Sequence, residues 1–378
     1  MNPRTRTILF FDQFGQIGGG QRILIDLALT ALKREWKVIV LCPEGPLARA
    51  LKERGVEVHP LPVPPMRSGR KSCADVIRGY LFSRRAAAEY AELGRQCDLI
   101  VVNGLRTMGI AKQWVRSYGK PAALYLHSVF RGFPRWLVSS FLKLPQTVAI
   151  APSSPVAEPF QSLPNVRIVP NWVSQDFLSP EIHADELRKT LGITDALPIV
   201  LVPGRFSPNK GQLVALEAFR QLRDGPCHMV FAGAALFEGK GADVEATLKD
   251  AAKNDPTHVH VIHWEAPLPH LYDGAGLVIV PSVWEEPFGL TAIEAMARGK
   301  PLIVSNRGML PILAGDGRFA EVVQPEPQAL AAALRDFCTG PGRWNVRAAE
   351  AMVHARSAYD PEKNQWSVFT FFYQLLVP

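Results

Sequence analysis

Short apolar runs of strand length recur along this chain, separated by stretches of helical periodicity. That alternation constrains the fold more than any other feature. In the first half the runs lie at 7–11, 37–42, 56–61, 98–103, 122–127 and 148–151. In the second they lie at 198–202, 228–233, 259–264, 277–280 and 301–304. Helical stretches fall near 23–32, 46–54, 74–93, 107–118 and 135–142, then near 212–222, 268–272, 290–298, 328–338, 343–357 and 364–376. Strands alternating with helices predict parallel sheets covered on both faces, with ligands at the carboxyl ends of the strands. At 378 residues the chain exceeds one ordinary core, so two domains are expected.

Apolar residues make up 47% and charged residues 20%, which describes a soluble globular protein. No apolar run approaches the ~20 residues that cross a bilayer. Ile8 to Phe11 is too short for the core of a signal peptide. The five cysteines (42, 73, 97, 227, 338) are odd in number and form no C-x-x-C. A reduced, cytoplasmic chain is expected. Residues 1–175 hold 24 Lys and Arg against 11 Asp and Glu, while residues 176–378 hold 18 against 24. The basic half predicts a partner that is nucleic acid, anionic lipid or a phosphorylated acceptor.

The chemistry concentrates between Leu277 and Pro301. The run Leu277–Val280 reads as a buried strand, Pro281 to Gly289 as a loop, and Leu290 onward as a helix with Leu290, Ile293 and Ala297 on one stripe. Gly299 ahead of Lys300-Pro301 is a helix stop. The amides of Phe288, Gly289 and Leu290 stand at the helix start, where an anion is favoured. Thr291 lies in the same turn. Glu294 lies one turn in, roughly 5 Å along the axis, about the offset from a diphosphate to its ribose. Glu286 lies in the loop on the other side. In the string Gly204-Arg205-Phe206-Ser207-Pro208-Asn209-Lys210-Gly211, two cations precede a helix start that repels them, so a negative group should compensate. A diphosphate would do it.

Glu286 and Glu294, inside E-P-F-G-L-T-A-I-E-A-M-A-R-G-K-P, resemble the E-x7-E signature of the retaining glycosyltransferases of family four, which have the GT-B fold. The resemblance implies two Rossmann-like parallel-sheet domains facing each other across a cleft. The expected bounds are 1–172 for the acceptor domain, 173–197 for a linker region and 198–360 for the donor domain, with 361–378 as a helix packing back on the first domain. It implies transfer of a sugar from a UDP- or GDP-sugar to a glycan or lipid-linked acceptor, with retention and without a metal or other cofactor. No Asp-x-Asp occurs anywhere. The string at 204–211 is similar to the family's G-R-x-x-x-x-K-G, which assigns Arg205 and Lys210 to the diphosphate. Glu286 would position the donor sugar and Glu294 the ribose. His263 and Trp264, ending a strand, would flank the base.

In the first half the resemblance places Gly19 and Gly20, in the loop after the first strand, against the donor phosphates. The family often has an acid near Gln21. His127 ends the run Ala123–Leu126; it is either a satisfied structural residue or, by the similarity of Y-L-H-S to the family's histidine, a contact to the transferred sugar. Asn103 has the same kind of location. The segment from Pro164 to Val173 is similar to the family's crossing between domains, with Trp172 where Gly is usual. A nicotinamide-dinucleotide reading fails on spacing, since the glycines do not form G-x-G-x-x-G, and Glu44 is the only candidate ribose acid.

Two segments suit a membrane headgroup region: Met66 to Lys71 with Arg78, Arg84 and Arg85, and Phe130 to Leu137 running on to Lys143. The alternative for both is a solvated face beside ordinary core. Peripheral contact of the basic domain with the inner membrane face is expected, with no nucleic-acid partner. Rival readings are a sugar-nucleotide epimerase of the same architecture and, from another class, a basic nucleic-acid-binding protein.

Overall fold

The structure, a computed structural model, describes residues 5–64, 72–222, 225–236, 239–264 and 268–377. Its contacts divide the chain into two compact units, Met1–Pro170 with Asn364–Pro378, and Asn171–Lys363. The expected basic loop 66–71 lies outside the described residues.

Unit 1 begins with β1 (Thr7–Phe11), α1 (Gly19–Lys33), β2 (Lys37–Cys42), α2 (Pro46–Lys52) and β3 (Glu57–Pro60). It continues through α3 (Cys73–Glu89), α4 (Ala91–Gln96), β4 (Leu99–Val102), α5 (Met108–Tyr118) and β5 (Ala122–Tyr125). Then come α6 (Gly132–Leu142), β6 (Thr147–Ala151), the short α7 (Ser154–Ala157) and β7 (Val166–Ile168). The seven strands are parallel in the order β3-β2-β1-β4-β5-β6-β7. Ile8 to Phe11 are fully buried, because helices cover both faces and a parallel strand needs no polar side. Trp114 of α5 tilts against Phe11 at 5.3 Å and donates its indole N–H to Ala87 O at 3.1 Å, which locks α3 onto α5.

Unit 2 comprises α8 (Glu186–Leu191), β8 (Ile199–Pro203), α9 (Gln212–Arg220), β9 (His228–Gly233), α10 (Lys240–Asn254) and β10 (Val259–His263). After these come α11 (Pro269–Gly274), β11 (Leu277–Val280), α12 (Leu290–Ala297), β12 (Leu302–Ser305), α13 (Leu310–Leu313) and β13 (Glu321–Val323). The helices α14 (Pro327–Thr339) and α15 (Gly342–Ala358) follow. The sheet runs β10-β9-β8-β11-β12-β13, all parallel. The last helix, α16 (Pro361–Leu376), joins unit 1 from Asn364 onward. There Trp36 meets Phe369 and Tyr373 edge-on, and the Arg34 guanidinium lies 4.5 Å from the centre of the Trp366 ring.

Several sequence expectations need correction. α1 starts at Gly19, so Gly19 and Gly20 form its first turn and are not part of the loop. The Gln21 side chain makes this possible by accepting the Gly18 N–H at 3.1 Å. The crossing segment carries a strand, β7, at the sheet edge. The long helix expected at 74–93 breaks at Tyr90 into α3 and α4. α12 is not buried along one stripe only: Ala292 to Ala297 are all buried, because α15 covers the face turned away from the sheet.

α12 ends on Arg298, a cation at the negative end of the helix. Its guanidinium makes a fully buried, two-point pair with Asp273 at 2.6 and 2.7 Å, and donates to Ser179 O and Glu181 O. That cluster pins residues 179–181 to unit 2. No helix among the described residues is long and apolar enough to cross a membrane.

Candidate active site

In unit 2 the strand order runs outward from β8 to β9 and β10 on one side, and from β11 to β12 and β13 on the other. The crevice between the carboxyl ends of β8 and β11 is therefore the place where such a sheet takes a ligand. Two loops fill it, 204–211 after β8 and 281–289 after β11. Val283 N–H donates to Asn209 O at 3.0 Å. Gly211, at φ +71°, lies so close to the other loop that a β-carbon there would stand 1.9 Å from Pro281 O. Only glycine allows that approach. Gln212, at the start of α9, donates to Arg205 O at 2.9 Å and fixes the first loop from beneath.

This stitching brings Lys210 to Glu286. Lys210 Nζ lies 2.9 Å from each Glu286 oxygen, and Ser282 Oγ donates to Glu286 Oε2 at 2.7 Å. Burial pushes the Glu286 carboxyl up, but the Lys210 charge and these hydrogen bonds outweigh it and hold the group below the usual carboxylate range. Arg205 is half-buried; loss of water pulls its guanidinium down, while the Glu286 charge acts in the opposite direction. The negative group that the two cations demanded is thus supplied for Lys210 by the protein itself. The side chain of Lys210 keeps 23% of its surface exposed, so its ammonium is reachable from solvent.

Gly289, at φ +103°, is the residue that precedes α12 and has no side chain with which to cap the helix start. Leu290 and Thr291 of the first turn are half-buried. The Phe288 ring is buried edge-on against Tyr359 at 5.7 Å, so only its backbone is available to a ligand. One turn in, the Glu294 carboxylate is buried and accepts the Tyr272 hydroxyl at 2.8 Å. Tyr272 is itself held edge-on by Phe177 at 5.0 Å. Gly204, at φ +133°, has open space where a side chain would project. His263 and Trp264 lie at the end of β10, two strands out from β8. His263 is exposed; Trp264 packs on the same core cluster as Tyr272, and its buried indole N–H has no acceptor among the described residues.

In unit 1 the sheet order turns between β1 and β4. The residues that follow these strands, Asp12 and Asn103, meet there. Asn103 Nδ2 donates to Asp12 Oδ2 at 2.6 Å and to Gly20 O at 3.2 Å. Gln21 Nε2 donates to both Asp12 oxygens at 3.1 and 3.0 Å, and Phe14 N–H to Oδ1 at 2.8 Å. Burial nevertheless raises the Asp12 pKa to about 6. With its amide nitrogen committed to acceptors, Asn103 turns Oδ1 to His127 Nε2 at 2.6 Å. Nε2 therefore carries the ring proton, and Nδ1 is an acceptor. Loss of water lowers the His127 pKa to about 4, so the ring is neutral near pH 7. It stacks on Tyr125 at 4.9 Å, and a β-carbon on Gly20 would press it at 3.2 Å.

Arg205, Lys210, Glu286, Gly289 and the start of α12 are thus gathered at one turning point. His127, Gly20 and Asn103 are gathered at another. Gly19 stands beside Gly20 in the first turn of α1. Sequence reasoning missed Asp12, whose signal was its place directly after a buried strand. It also missed Gln212 and Tyr272. Gln21, which stands near where the resembled family often has an acid, donates here to the Asp12 carboxylate. Among the described residues no three His, Cys, Asp or Glu side chains gather as metal ligands.

Comparison with known proteins points the same way in both halves of the chain. Residues 17–177 match the model for Glycosyltransferase Family 4, and residues 183–352 that for Glycosyl transferases group 1. Together the two matches span most of the chain and support a glycosyltransferase of the group 1/family 4 type. It is 36% identical over 158 residues to the lipopolysaccharide 1,2-N-acetylglucosaminetransferase of Salmonella typhimurium, a match covering 40% of this chain and 41% of that one. It is 32% identical over 202 residues to the D-inositol 3-phosphate glycosyltransferase of Streptomyces avermitilis, covering 49% and 43%. The chain thus spans less than half the length of these two curated relatives. Among solved structures, Anabaena HepE in complex with UDP and glucose superposes with TM-score 0.81 at 22% identity, covering 97% of this chain and 99% of that one. The lipopolysaccharide glycosyltransferase WaaG superposes at 0.69 and 17%, covering 95% and 98%. These likenesses establish the GT-B fold.

Proposed function

We propose that this protein transfers a sugar from a nucleoside-diphosphate sugar to an acceptor hydroxyl, with retention of configuration and without a metal ion. The observation that carries the reading is the turning point of unit 2. There Arg205, Lys210 and the start of α12 stand together, with the Glu294 carboxylate one turn further in. An ammonium has three donors. Glu286 takes two of those on Lys210, so a phosphate oxygen can take the third. Arg205 and the first amides of α12 complete the receptor for a diphosphate. Glu294 would hold ribose hydroxyls, and Trp264 and His263 would border the base. His127 would accept a sugar hydroxyl at Nδ1.

In the reaction the bond from the anomeric carbon to the diphosphate oxygen breaks, and the acceptor oxygen bonds to that carbon from the same face. The acceptor proton passes to the departing phosphate oxygen. Arg205, Lys210 and the helix amides meet the charge that develops on that oxygen, which is where preorganised dipoles act most strongly. Glu286 holds Lys210 in place and orients the donor sugar.

A uridine diphosphate donor is favoured because the structural neighbour from Anabaena is held with UDP and glucose. A glycan or lipid-linked acceptor is favoured because the Salmonella relative is a lipopolysaccharide glycosyltransferase. These two likenesses favour a role in surface-glycan synthesis, and a cytoplasmic setting is part of the proposal. The test is a transfer assay with UDP-glucose, UDP-N-acetylglucosamine and GDP-mannose in excess EDTA, with the product anomer assigned by NMR. Transfer with the donor's own anomeric configuration is expected. An inverted product, a strict metal requirement, or isomerised sugar nucleotide with no acceptor consumed would overturn the proposal.

A further inference from the structure

Two helices of unit 1 leave apolar side chains in water where a soluble helix would carry polar ones. On α3, Val76, Ile77, Tyr80 and Leu81 are exposed, the last three by 58 to 60%. On α6, Phe133 and Trp136 are 50% and 62% exposed, and stack on one another at 5.7 Å. Single exposed apolar residues are ordinary; six on the ends of two helices are not.

The packing puts the two groups at one edge. Ser83 of α3 lies against Gly109 at the start of α5, and Ala87 against Trp114 one turn later, so α3 and α5 run in parallel. Ser140 of α6 lies against Lys112 of α5, near the same level. Val76 precedes Ser83 by seven residues, about 10 Å of helix, and Phe133 precedes Ser140 by the same span. Both helices therefore overhang the start of α5, at the end of the sheet where the strands finish.

Charge selects the occupant. Between Asp98 and Glu158 the sequence has no acidic residue but carries Arg106, Lys112, Arg116, Lys120, Arg131, Arg135 and Lys143. Arg131, Arg135, Arg78, Arg84 and Arg85 are exposed beside the apolar groups. A soluble protein partner would need matching acids at fixed points; an anionic bilayer offers negative charge everywhere, with apolar depth just below it. We propose that the overhanging ends of α3 and α6 form a docking surface for an anionic lipid bilayer, with Phe133, Trp136, Ile77, Tyr80 and Leu81 entering the headgroup layer and the arginines lying on it. This surface is independent of the sugar-transfer reading, since none of its residues belongs to the donor site.

Flotation of the full chain with vesicles of phosphatidylcholine, with or without phosphatidylglycerol, tests it. Binding to the anionic vesicles alone is expected, and its loss in high salt. Phe133→Ser with Trp136→Ser should weaken binding about tenfold, and Ile77→Ser with Leu81→Ser about as much. Arg131→Gln and Arg135→Gln should each cost roughly fivefold. The Trp136 fluorescence contribution should shift to the blue on binding. Turnover on a soluble acceptor by the same variants should equal wild type, which separates loss of docking from loss of fold or of activity. Equal binding to neutral and anionic vesicles, wild-type flotation by the serine variants, or capture of a lipid-linked acceptor in detergent with no affinity for vesicles would overturn the proposal.

Discussion

At the turning point of the unit 1 sheet a buried acid, Asp12, is held by amides. At that of unit 2 a buried acid, Glu286, is held by an ammonium. Strand order puts both acids in equivalent crevices. The partner then decides the chemistry. Bonded to amides rather than to a cation, Asp12 is governed by burial and rises to about 6; with Lys210 in contact, the Glu286 carboxyl falls below its ordinary value. The first crevice presents a neutral imidazole and fixed amides, which suits neutral hydroxyls. The second presents cations and open helix amides, which suits a polyanion. Under the proposed function, two halves built on one plan would divide the recognition of a charged donor and an uncharged sugar.

Four experiments break or sharpen that contrast. The largest effect is expected from Arg298→Met, which leaves Asp273 charged and buried. Loss of one partner of such a pair should cost about 3–5 kcal/mol. Denaturant unfolding followed in unit 2 should show it, with unit 1 tryptophans unaffected. Next, Lys210→Ala should lower turnover by about 10²–10³, the scale for losing one charge-stabilising donor. His127→Ala, in the uncharged crevice, should cost less, and steady-state kinetics of the two variants side by side check the ranking.

The two acids should also give opposite pH slopes. Asp12 has a folded pKa above its unfolded value, so its contribution is complete below about pH 4 and is lost as pH rises through about 6, about 3 kcal/mol in all. Glu286 has a depressed pKa, so its contribution is present above its ordinary value near 4.5 and is lost as pH falls through the lower folded one. The stability difference between wild type and Asp12→Asn should therefore fall from pH 4 to 7. That between wild type and Glu286→Gln should rise from pH 3 to 5. Slopes of the same sign would remove the contrast. The smallest effect is expected from Gly20→Ala, whose methyl presses the His127 ring and should cost about 1 kcal/mol, read as a drop in melting temperature.

Much of the fold was legible because parallel strands buried on both faces leave continuous apolar runs, such as Ile8 to Phe11 and Leu277 to Val280. The motif around Glu286 was legible because glycine and two acids at fixed spacing are hard to place otherwise. The partnership of Lys210 with Glu286 was not, since it joins residues 76 apart through two loops that only the strand order brings together. The start of α1 was missed because glycine is a poor helix former, and the Gln21 side chain and Asp12 overcome that only in the folded unit. Asp12 itself carries no local pattern; its meaning comes from Asn103, 91 residues away.

The claim on which the account turns is that unit 2 alone grips the diphosphate and ribose of the donor. Calorimetric titration of UDP and of inorganic pyrophosphate into the full chain, in EDTA, tests it most directly. Arg205→Ala is expected to weaken both ligands about tenfold or more, and Glu294→Gln to weaken UDP while leaving pyrophosphate unchanged. Wild-type affinity for UDP in both variants would contradict the account.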